Sequence, residues 1–370
     1  MANNKICCLF DLAAHYRAPI YKKMDKELDC DFYIATWPKI PFKQMNYSDL
    51  KGFKKNIQTK WFFNNKMYWQ IGAIKLLFSP YKHYILTGVP HCLTTWIILL
   101  GAKITGKKTY LWTHGWYGDE TLLKKIIKKM FFSLSYKVLL YGNYAKNLMI
   151  KEGYSKEKLI VIYNSLDYKS QLKLRRKITK TNIYQHYFNN NYPVLLFIGR
   201  IQKSKKIDLL FEAILQLKVQ GNLFNLILIG KNYNDIDINE NINYRNLKNN
   251  VWLFGECYDE QLISELIYNA DLCVSPGFVG LTAMHCLVYG LPVITHNNFP
   301  NQAPEFEAIE PDVTGDFFIE DSVEDLMLYI KKWTNLSNSK KQIIRHECFK
   351  IIDEKYNPNI QISILKNTIR

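Results

Sequence analysis

Four basic side chains fall within seven residues of one another, directly after an apolar run at positions 194–198. They are Arg200, Lys203, Lys205 and Lys206. A short apolar run of this kind indicates a buried strand, so the four cations follow the carboxyl end of that strand. Arginine offers a planar fork of donors and lysine a point charge, a combination suited to a diphosphate. Solvated loop lysines would give the same pattern, so the cluster by itself only indicates an anion site.

Residues 275–290 (SPGFVGLTAMHCLVYG) are a second candidate site. Gly277 and Gly280 lie in a loop, and the apolar residues that follow recur three and four positions apart, which predicts a helix ending at Gly290. Such a loop presents backbone N–H groups and the positive end of the helix dipole to a phosphate or to sugar hydroxyls. An ordinary strand–turn–helix of an α/β domain explains the segment equally well.

The elements that must position these residues alternate between strands and helices, which predicts α/β domains with parallel sheets and right-handed crossovers. The alternation stops at residues 169–191, which lack a core pattern and are interpreted as a linker, and it then restarts. We therefore expect an N-terminal domain at 1–168 and a C-terminal domain at 192–349. A final helix at about 350–370 is expected to pack back on the first domain.

Two further features of the organisation follow from the pattern. Residues 37–69 are aromatic and rich in lysine without a clear period, and we interpret them as loops and short helices. Ligands of parallel α/β sheets bind at the carboxyl ends of the strands, so two such domains suggest a cleft between them.

The composition limits the class of protein. A chain of 370 residues with 48% hydrophobic residues can bury two cores of ordinary size. The first apolar run is too short for a signal peptide, and the longest apolar block, 92–104, is shorter than a membrane span. The eight cysteines form no C-x-x-C pair. We expect reduced core cysteines in a cytoplasmic protein that is soluble or peripheral to the inner face of the cell membrane.

The charge is unevenly distributed along the chain. The net charge is +16, but residues 1–182 hold 32 basic and 11 acidic side chains, whereas residues 183–370 hold 17 and 22. A basic half of this kind fits nucleic acid, an anionic membrane or a phosphorylated acceptor, and lysine-rich composition explains it as well.

Five segments, in order, resemble the signature of family 4 glycosyltransferases, which have the GT-B fold. Residues 199–214 (GRIQKSKKIDLLFEAI) resemble its GR-x-x-x-x-K-G-x-x-x-L-x-x-A motif. The other four are 161–167 (VIYNSLD), 225–231 (NLILIGK), 251–277 (VWLFGECYDEQLISELIYNADLCVSPG) and 279–295 (VGLTAMHCLVYGLPVIT). The resemblance is close over about residues 137–320, whereas the N-terminal domain matches the family only in its general pattern. It implies two Rossmann-like domains that face each other across a cleft.

The resemblance also implies roles for individual residues. Arg200 and Lys205 correspond to the family's diphosphate-binding and catalytic positions, and His114 to a histidine that faces the donor sugar. The positions assigned to the nucleotide-sugar donor are Gly199, Gly230, Lys231, Glu256, Cys257, Tyr258, Phe278, Val279, Gly280, Leu281, His285 and Glu305. Members of the family generally retain the anomeric configuration and need no metal cofactor, because cations and a helix dipole stabilise the leaving diphosphate.

The chain departs from the family at two positions. The family has two glutamates in this loop and helix, and here they are Gly277 and His285. Three explanations of this departure are open. The site is reshaped with His285 at the ribose, the protein uses a different sugar, or the site is inactive. The loop after the first strand lacks the usual paired glycines and has His15, Tyr16 and Arg17, which we assign to acceptor or phosphate contact.

Two other segments bear on metal and membrane binding. Asp29 and Asp31 have the spacing of the D-x-D metal motif of the other glycosyltransferase fold, but they lie at a helix–strand turn, where aspartates are common. We predict no metal site. Residues 121–132 (TLLKKIIKKMFF) form a cationic amphipathic helix. Its apolar side can lie on an anionic membrane or pack on the sheet.

The sequence therefore predicts a retaining, metal-independent GT-B glycosyltransferase. It would move a hexose from a UDP- or GDP-sugar to a glycan or lipid-linked glycan acceptor, with an anionic membrane surface as a further partner. The alternatives are a nucleotide-sugar epimerase or inverting transferase of the same fold, and a donor-binding protein without activity. A nucleic-acid partner is not predicted, because it explains none of the five motifs.

Overall fold

The computed structural model describes residues 5–37, 43–233, 237–244 and 246–369. The chain divides into two compact units. The first comprises Met1–Asp167 with Asn357–Arg370, and the second comprises Tyr168–Tyr356.

Each unit contains one sheet. The strands are β1 (Ile6–Phe10), β2 (Cys30–Thr36), β3 (Phe53–Phe62), β4 (Met67–Gln70), β5 (His83–Thr87), β6 (Lys108–Thr113), β7 (Lys137–Leu140), β8 (Leu159–Val161), β9 (Val194–Ile198), β10 (Asn225–Ile229), β11 (Val251–Gly255), β12 (Leu272–Ser275), β13 (Val293–His296) and β14 (Gly315–Phe318). The first sheet has the order β4-β3-β2-β1-β5-β6-β7-β8 and the second the order β11-β10-β9-β12-β13-β14. All neighbouring strands are parallel except β3 and β4.

The helices cover both sheets. They are α1 (Ala18–Glu27), α2 (Leu93–Ile104), α3 (Leu122–Leu134), α4 (Asn143–Lys151), α5 (Tyr168–Arg175), α6 (Ile183–Phe188), α7 (Ile207–Val219), α8 (Ile238–Tyr244), α9 (Glu260–Asn269), α10 (Thr282–Leu287), α11 (Val323–Thr334), α12 (Asn338–Glu354) and α13 (Pro358–Ile369). Central strands such as β1 and β9 are buried along their whole length, as parallel strands covered on both faces must be. This arrangement is the predicted α/β class with two parallel-sheet units.

The expectation of loops and short helices at residues 37–69 was wrong for much of this segment. It contains β3 and β4, an antiparallel pair at the edge of the first sheet. Most side chains of β3 are polar or partly to fully exposed, and the strand lies between β2 and the edge strand β4. The strand therefore has no apolar run by which the sequence could reveal it.

The segment predicted as a linker, 169–191, lies in the second unit and contains helices α5 and α6. Both helices pack on α9. The hydroxyl of Tyr184, in α6, donates a hydrogen bond of 2.7 Å to the carbonyl oxygen of Leu266. Helix α5 is short and polar, so its sequence lacks the apolar stripe that predicts a helix.

The last helix, α13, packs on α1 in the first unit. Lys366 forms an ion pair of 2.6 Å with Glu27. The buried Gln361 side chain donates a hydrogen bond of 2.8 Å to the carbonyl oxygen of Tyr163 and accepts one of 2.5 Å from Ser165. The C-terminus of the chain is thus part of the N-terminal unit.

Candidate functional site

The carboxyl ends of neighbouring strands in the second unit bring most of the predicted donor residues to one edge of the sheet. Gly199 and Arg200 follow β9, Gly230 and Lys231 follow β10, and Glu256 follows β11. Because β11, β10, β9 and β12 are adjacent in the sheet, these loops are neighbours as well.

Gly199 and Gly230 allow two of these loops to approach each other closely. A β-carbon on Gly230 would lie 1.8 Å from the carbonyl oxygen of Gly199, so no other residue fits at position 230. Gly199 has φ = 151°, a conformation that side chains rarely adopt. The N–H of Gly230 in turn donates to the carbonyl oxygen of Gly255 at 2.8 Å.

Lys205 is the most buried cation of the basic cluster, with only 5% of its surface exposed. Its Nζ donates to the carbonyl oxygen of Phe278 at 2.5 Å and lies 3.5 Å from the centre of the Phe278 ring. Burial, together with the positive charge of Arg200, lowers the pKa of Lys205 to about 7, while Glu305 acts to raise it. A buried ammonium that no carboxylate contacts within ion-pair distance, among the residues described, is suited to hold an anion.

The next residue, Lys206, has the left-handed conformation, with φ = 50° and ψ = 40°. The GR-x-x-x-x-K-G motif has glycine at this position, which tolerates that conformation at little cost. Ion pairs of Lys206 with Glu320 at 2.9 Å and Asp321 at 2.6 Å hold the lysine in place. Lys206 therefore serves the shape of the loop, and Arg200 and Lys205 remain as the candidate diphosphate ligands.

The loop between β12 and α10 is fixed by Gln302, which the sequence analysis did not identify. Its Oε1 accepts a hydrogen bond of 2.9 Å from the N–H of Val279, and its Nε2 donates to Thr295 and to the carbonyl oxygen of His296. The N–H of Val279 is therefore occupied. The N–H groups of Phe278, Gly280 and Leu281 have no acceptor in the part of the chain that the structure describes.

His285 belongs to a hydrogen-bond cluster around Glu260, the first residue of α9. One carboxylate oxygen of Glu260, Oε1, is 3.0 Å from Nε2 of His285, and it accepts hydrogen bonds from Tyr289 at 2.7 Å and Gln171 at 3.0 Å. Burial acts to raise the pKa of Glu260, but charge and hydrogen bonds from these neighbours lower it to about 2. The position that carries a family glutamate thus has a histidine, and a carboxylate from another helix contacts it.

The remaining predicted donor residues occupy different environments. Tyr258, in the loop after β11, is exposed, and its hydroxyl donates to Glu256 at 2.7 Å, while Cys257 is half-buried. This open loop can contact a planar base through its backbone and packing. Lys231 is also exposed, and Glu305 is buried close enough to Lys205 to affect its pKa.

The first unit has its own cavity of about 240 Å³ at the carboxyl ends of β1, β5, β6 and β7. Its lining includes Tyr16, Arg17 and His114. Burial, and secondarily the charges of Arg17 and Lys128, lowers the pKa of His114 to about 4, so its imidazole is neutral at pH 7. His15 does not line this cavity; it is exposed, with Nδ1 3.1 Å from the carbonyl oxygen of Lys43.

Asp11 also lines this cavity, and the sequence analysis did not assign it a role. Its carboxyl group accepts hydrogen bonds from the Tyr68 hydroxyl at 2.5 Å and from Nε2 of Gln70 at 2.8 Å. Burial raises the pKa of Asp11 to about 7, although both hydrogen bonds act to lower it. The only sequence signal was an aspartate directly after a buried strand.

The structure also reveals what the D-x-D segment does. Asp31, in β2, is buried, accepts a hydrogen bond of 2.7 Å from Tyr81, and lies 3.3 Å from both Lys5 and Lys54. These contacts give the charge of the Asp31 carboxylate a structural role. Among the described residues, no three His, Cys, Asp or Glu side chains are placed to hold a metal ion together.

Comparison with known protein sequences gives a family match and a related protein. The family model described as Glycosyl transferases group 1 matches residues 179–347. An uncharacterized 41.2 kDa protein in the cps region of Klebsiella pneumoniae is 27% identical over 221 residues, which are 58% of this chain and 53% of that protein. The chain thus spans about half the length of this curated relative.

Solved structures match over nearly the whole chain. The lipopolysaccharide outer core galactosyltransferase WaaB in its apo form has a TM-score of 0.69, with 15% identity over 99% of both chains. Anabaena Alr3699/HepE in complex with UDP-glucose has a TM-score of 0.67, with 16% identity over 98% of both chains. These likenesses establish the fold. Over residues 179–347 the chain is similar to the group 1 glycosyl transferases, and its two sheets have the GT-B fold of these solved structures.

Proposed function

We propose that this protein transfers a hexose from a nucleotide diphosphate sugar to a glycan or lipid-linked glycan acceptor, with retention of configuration and without a metal. The observation that carries the proposal is the pair Arg200 and Lys205. Lys205 is a buried ammonium with a pKa of about 7, and Arg200 is an exposed guanidinium at the same edge of the sheet. Together they can neutralise the charge that develops on a leaving diphosphate.

The loops around this pair support binding of the rest of the donor. The N–H groups of Phe278, Gly280 and Leu281 can donate to phosphate or sugar oxygens. The loop at Glu256, Cys257 and Tyr258 is open enough to take the base. A UDP-sugar is the favoured donor, because Anabaena HepE has the same fold and was solved with UDP-glucose.

His114 is assigned to the donor sugar, as the family resemblance implies. Its imidazole is neutral at pH 7, so it can accept a hydrogen bond from a sugar hydroxyl or donate one to it. Because it carries no charge, it does not attract an additional phosphate. A surface polysaccharide is the favoured product, because the curated relative is encoded in a cps region.

The activity can be tested with purified protein. Radiolabelled UDP-glucose, UDP-galactose and GDP-mannose would be incubated with EDTA and a bacterial lipid-linked oligosaccharide fraction, and release of nucleoside diphosphate would be measured. We expect one donor to turn over in EDTA, with the anomeric proton of the product showing the donor's configuration by NMR. No turnover with any donor, while a nucleotide still binds, would favour a donor-binding protein without activity.

Helix α3 supports a location at the cytoplasmic face of the membrane. Its residues Leu122, Leu123, Ile126, Ile127 and Met130 are 40–76% exposed. They are spaced three and four apart, so they form one apolar stripe, and Phe131 and Phe132 anchor the helix in the core. The described part of the chain has no helix with the length and hydropathy needed to cross a membrane.

The lysines of α3 do not all face solvent. Lys128 donates to Glu120 at 2.6 Å and to the carbonyl oxygen of Gly115 at 3.0 Å, and Lys125 pairs with Glu152 at 2.6 Å. An exposed apolar stripe on a basic unit fits an anionic lipid surface. The double variant Leu123→Glu/Ile127→Glu should abolish co-flotation with phosphatidylglycerol-containing vesicles, and wild-type protein that does not float with them would refute the membrane surface.

A further inference from the structure

The guanidinium of Arg17 is an uncompensated positive charge in the cavity of the first unit. It hydrogen bonds to the hydroxyl of Tyr141, and no carboxylate lies within ion-pair distance of it among the described residues. The side chains that interact with it electrostatically are the phenols of Tyr141, Tyr21 and Tyr16. A guanidinium has five N–H donors, more than the phenols of Tyr141 and Tyr21 use, so it can also bind a ligand.

The surroundings keep this charge in place and oriented. The guanidinium carbon lies 5.4 Å from the centre of the Trp112 ring and 5.2 Å from that of Tyr141, so the group lies beside two aromatic rings. Arg17 also immediately precedes α1, whose dipole adds to the positive field. This field contributes to the low pKa of His114 on the same cavity wall.

Asp11, the acidic group among the described residues of the cavity wall, does not neutralise Arg17. Asp11 is bound to Tyr68 and Gln70, and no ion pair joins it to Arg17 in the part of the chain that is described. A desolvated guanidinium in a cavity without an anionic partner is most stable when a ligand supplies the anion.

We propose that the acceptor carries an acidic sugar, and that Arg17 binds its carboxylate in this cavity. The cavity of about 240 Å³ is smaller than the roughly 300–1,000 Å³ typical of drug-sized ligands, and it suits a single sugar residue. Trp112 and Tyr141 provide aromatic walls, and Asp11 provides a polar group for hydroxyls. The inference rests on the proposed transfer to a glycan acceptor and specifies the class of that acceptor.

The test compares sugars that differ only at C6, where a carboxylate replaces a neutral hydroxymethyl group. Binding of methyl β-glucuronide and methyl β-glucoside to the full chain would be measured by ligand-observed NMR, and the galacturonide and galactoside would form a second pair. We expect an acid to bind about tenfold or more tightly than its neutral partner, as a charge-assisted hydrogen bond provides. Equal affinities within both pairs would overturn the proposal.

Variants connect the preference to Arg17. Arg17→Gln should bring the ratio of affinities close to one, and Arg17→Lys should keep part of it. Lys26→Gln removes the same charge from the exposed end of α1 and should change nothing. A preference that survives in Arg17→Gln would overturn the proposal. Thermal unfolding of each variant would establish that it is folded. If Arg17→Gln is not folded, the affinity ratio of Arg17→Lys takes its place in the test.

A measurement of nucleotide binding distinguishes the two anions that Arg17 could bind, the carboxylate of the acceptor and the diphosphate of the donor. UDP affinity should be the same in wild type and Arg17→Gln. If it falls in the variant, Arg17 binds the donor diphosphate and the acidic-acceptor proposal is wrong. Because the glycoside measurement needs no turnover, failure of the glycosyl transfer itself would be visible separately as an absence of UDP binding or of activity.

Discussion

The N–H of Gly277 donates a hydrogen bond of 3.0 Å to the carbonyl oxygen of Lys205, joining the loop after β12 to the basic loop after β9. A β-carbon on Gly277 would lie 2.3 Å from the carbonyl oxygen of Ser204 and 2.8 Å from Cα of Lys205. The two backbones therefore approach at a distance that only glycine permits. The absence of the family's first glutamate has a structural cause at this position, and the approach fixes the buried lysine.

Replacing Gly277 should damage both the fold and the donor site. Gly277→Ala should lower the free energy of unfolding by about 1–3 kcal/mol, because backbone atoms must move to admit the methyl group. Gly277→Glu should weaken UDP binding further instead of restoring a family contact. Gly101→Ala is the control, since its nearest contact is the flexible end of Leu77. Unchanged urea unfolding of Gly277→Ala would contradict the close approach.

The pKa of Lys205 predicts a pH dependence of donor binding. A bound diphosphate raises the pKa of Lys205 above its value of about 7, so binding takes up a proton. Affinity for UDP-glucose should therefore be constant below about pH 7 and fall about tenfold per pH unit above it. Lys205→Arg should remove the slope because arginine stays charged, and Lys203→Arg should keep it. Calorimetric titration from about pH 6 to about pH 9 would measure both.

His285 and Glu260 form a pair that predicts the effect of restoring the second family glutamate. His285→Glu would place a second carboxylate beside Glu260, replacing an attraction by a repulsion. The free energy of unfolding should fall by about 1–3 kcal/mol at pH 7. Adding Glu260→Gln should recover most of the loss, which a double-mutant cycle in urea measures. His186→Glu, on an exposed position of α6, is the control; an equal loss there would remove the pair from the explanation.

The raised pKa of Asp11 predicts that the free energy of unfolding decreases as the pH rises. Between about pH 4 and pH 7 the folded state keeps the Asp11 proton, because burial raises its pKa to about 7, whereas the unfolded state has released it. The free energy of unfolding should therefore fall across this range. Asp11→Asn should raise it by on the order of 2 kcal/mol at pH 8 and change it little near pH 4. The exposed Asp29→Asn should show no such difference, and a pH-independent effect of Asp11→Asn would refute the raised pKa.

Much of the fold was predictable from the sequence because the central strands are buried on both faces and therefore read as apolar runs. The edge pair β3 and β4 was not, since β3 carries exposed lysines and β4 has only four residues. Helices α5 and α6 were read as a linker because both are short and α5 buries the polar Gln171 instead of an apolar stripe. Periodicity detects burial, and elements with little burial escape it.

The site could be predicted only in part. Arg200, Lys205 and the glycines lie in contiguous motifs, which a sequence displays directly. The contacts that fix other predicted residues come from distant segments: Gln302 binds Val279, Glu260 binds His285, and Tyr141 binds Arg17. No local sequence pattern indicates such a pair, because only the fold brings the two partners together.

The most direct measurement is calorimetric binding of UDP to the full chain in EDTA, with wild type beside the Arg200→Ala/Lys205→Ala variant. The account predicts metal-free binding by wild type and a loss of at least about a hundredfold in the variant, as removal of two charge-assisted contacts implies. Circular dichroism would confirm that the variant is folded. UDP binding of undiminished affinity in the variant would contradict the diphosphate site, and wild-type binding that requires Mg²⁺ would contradict the metal-free mechanism.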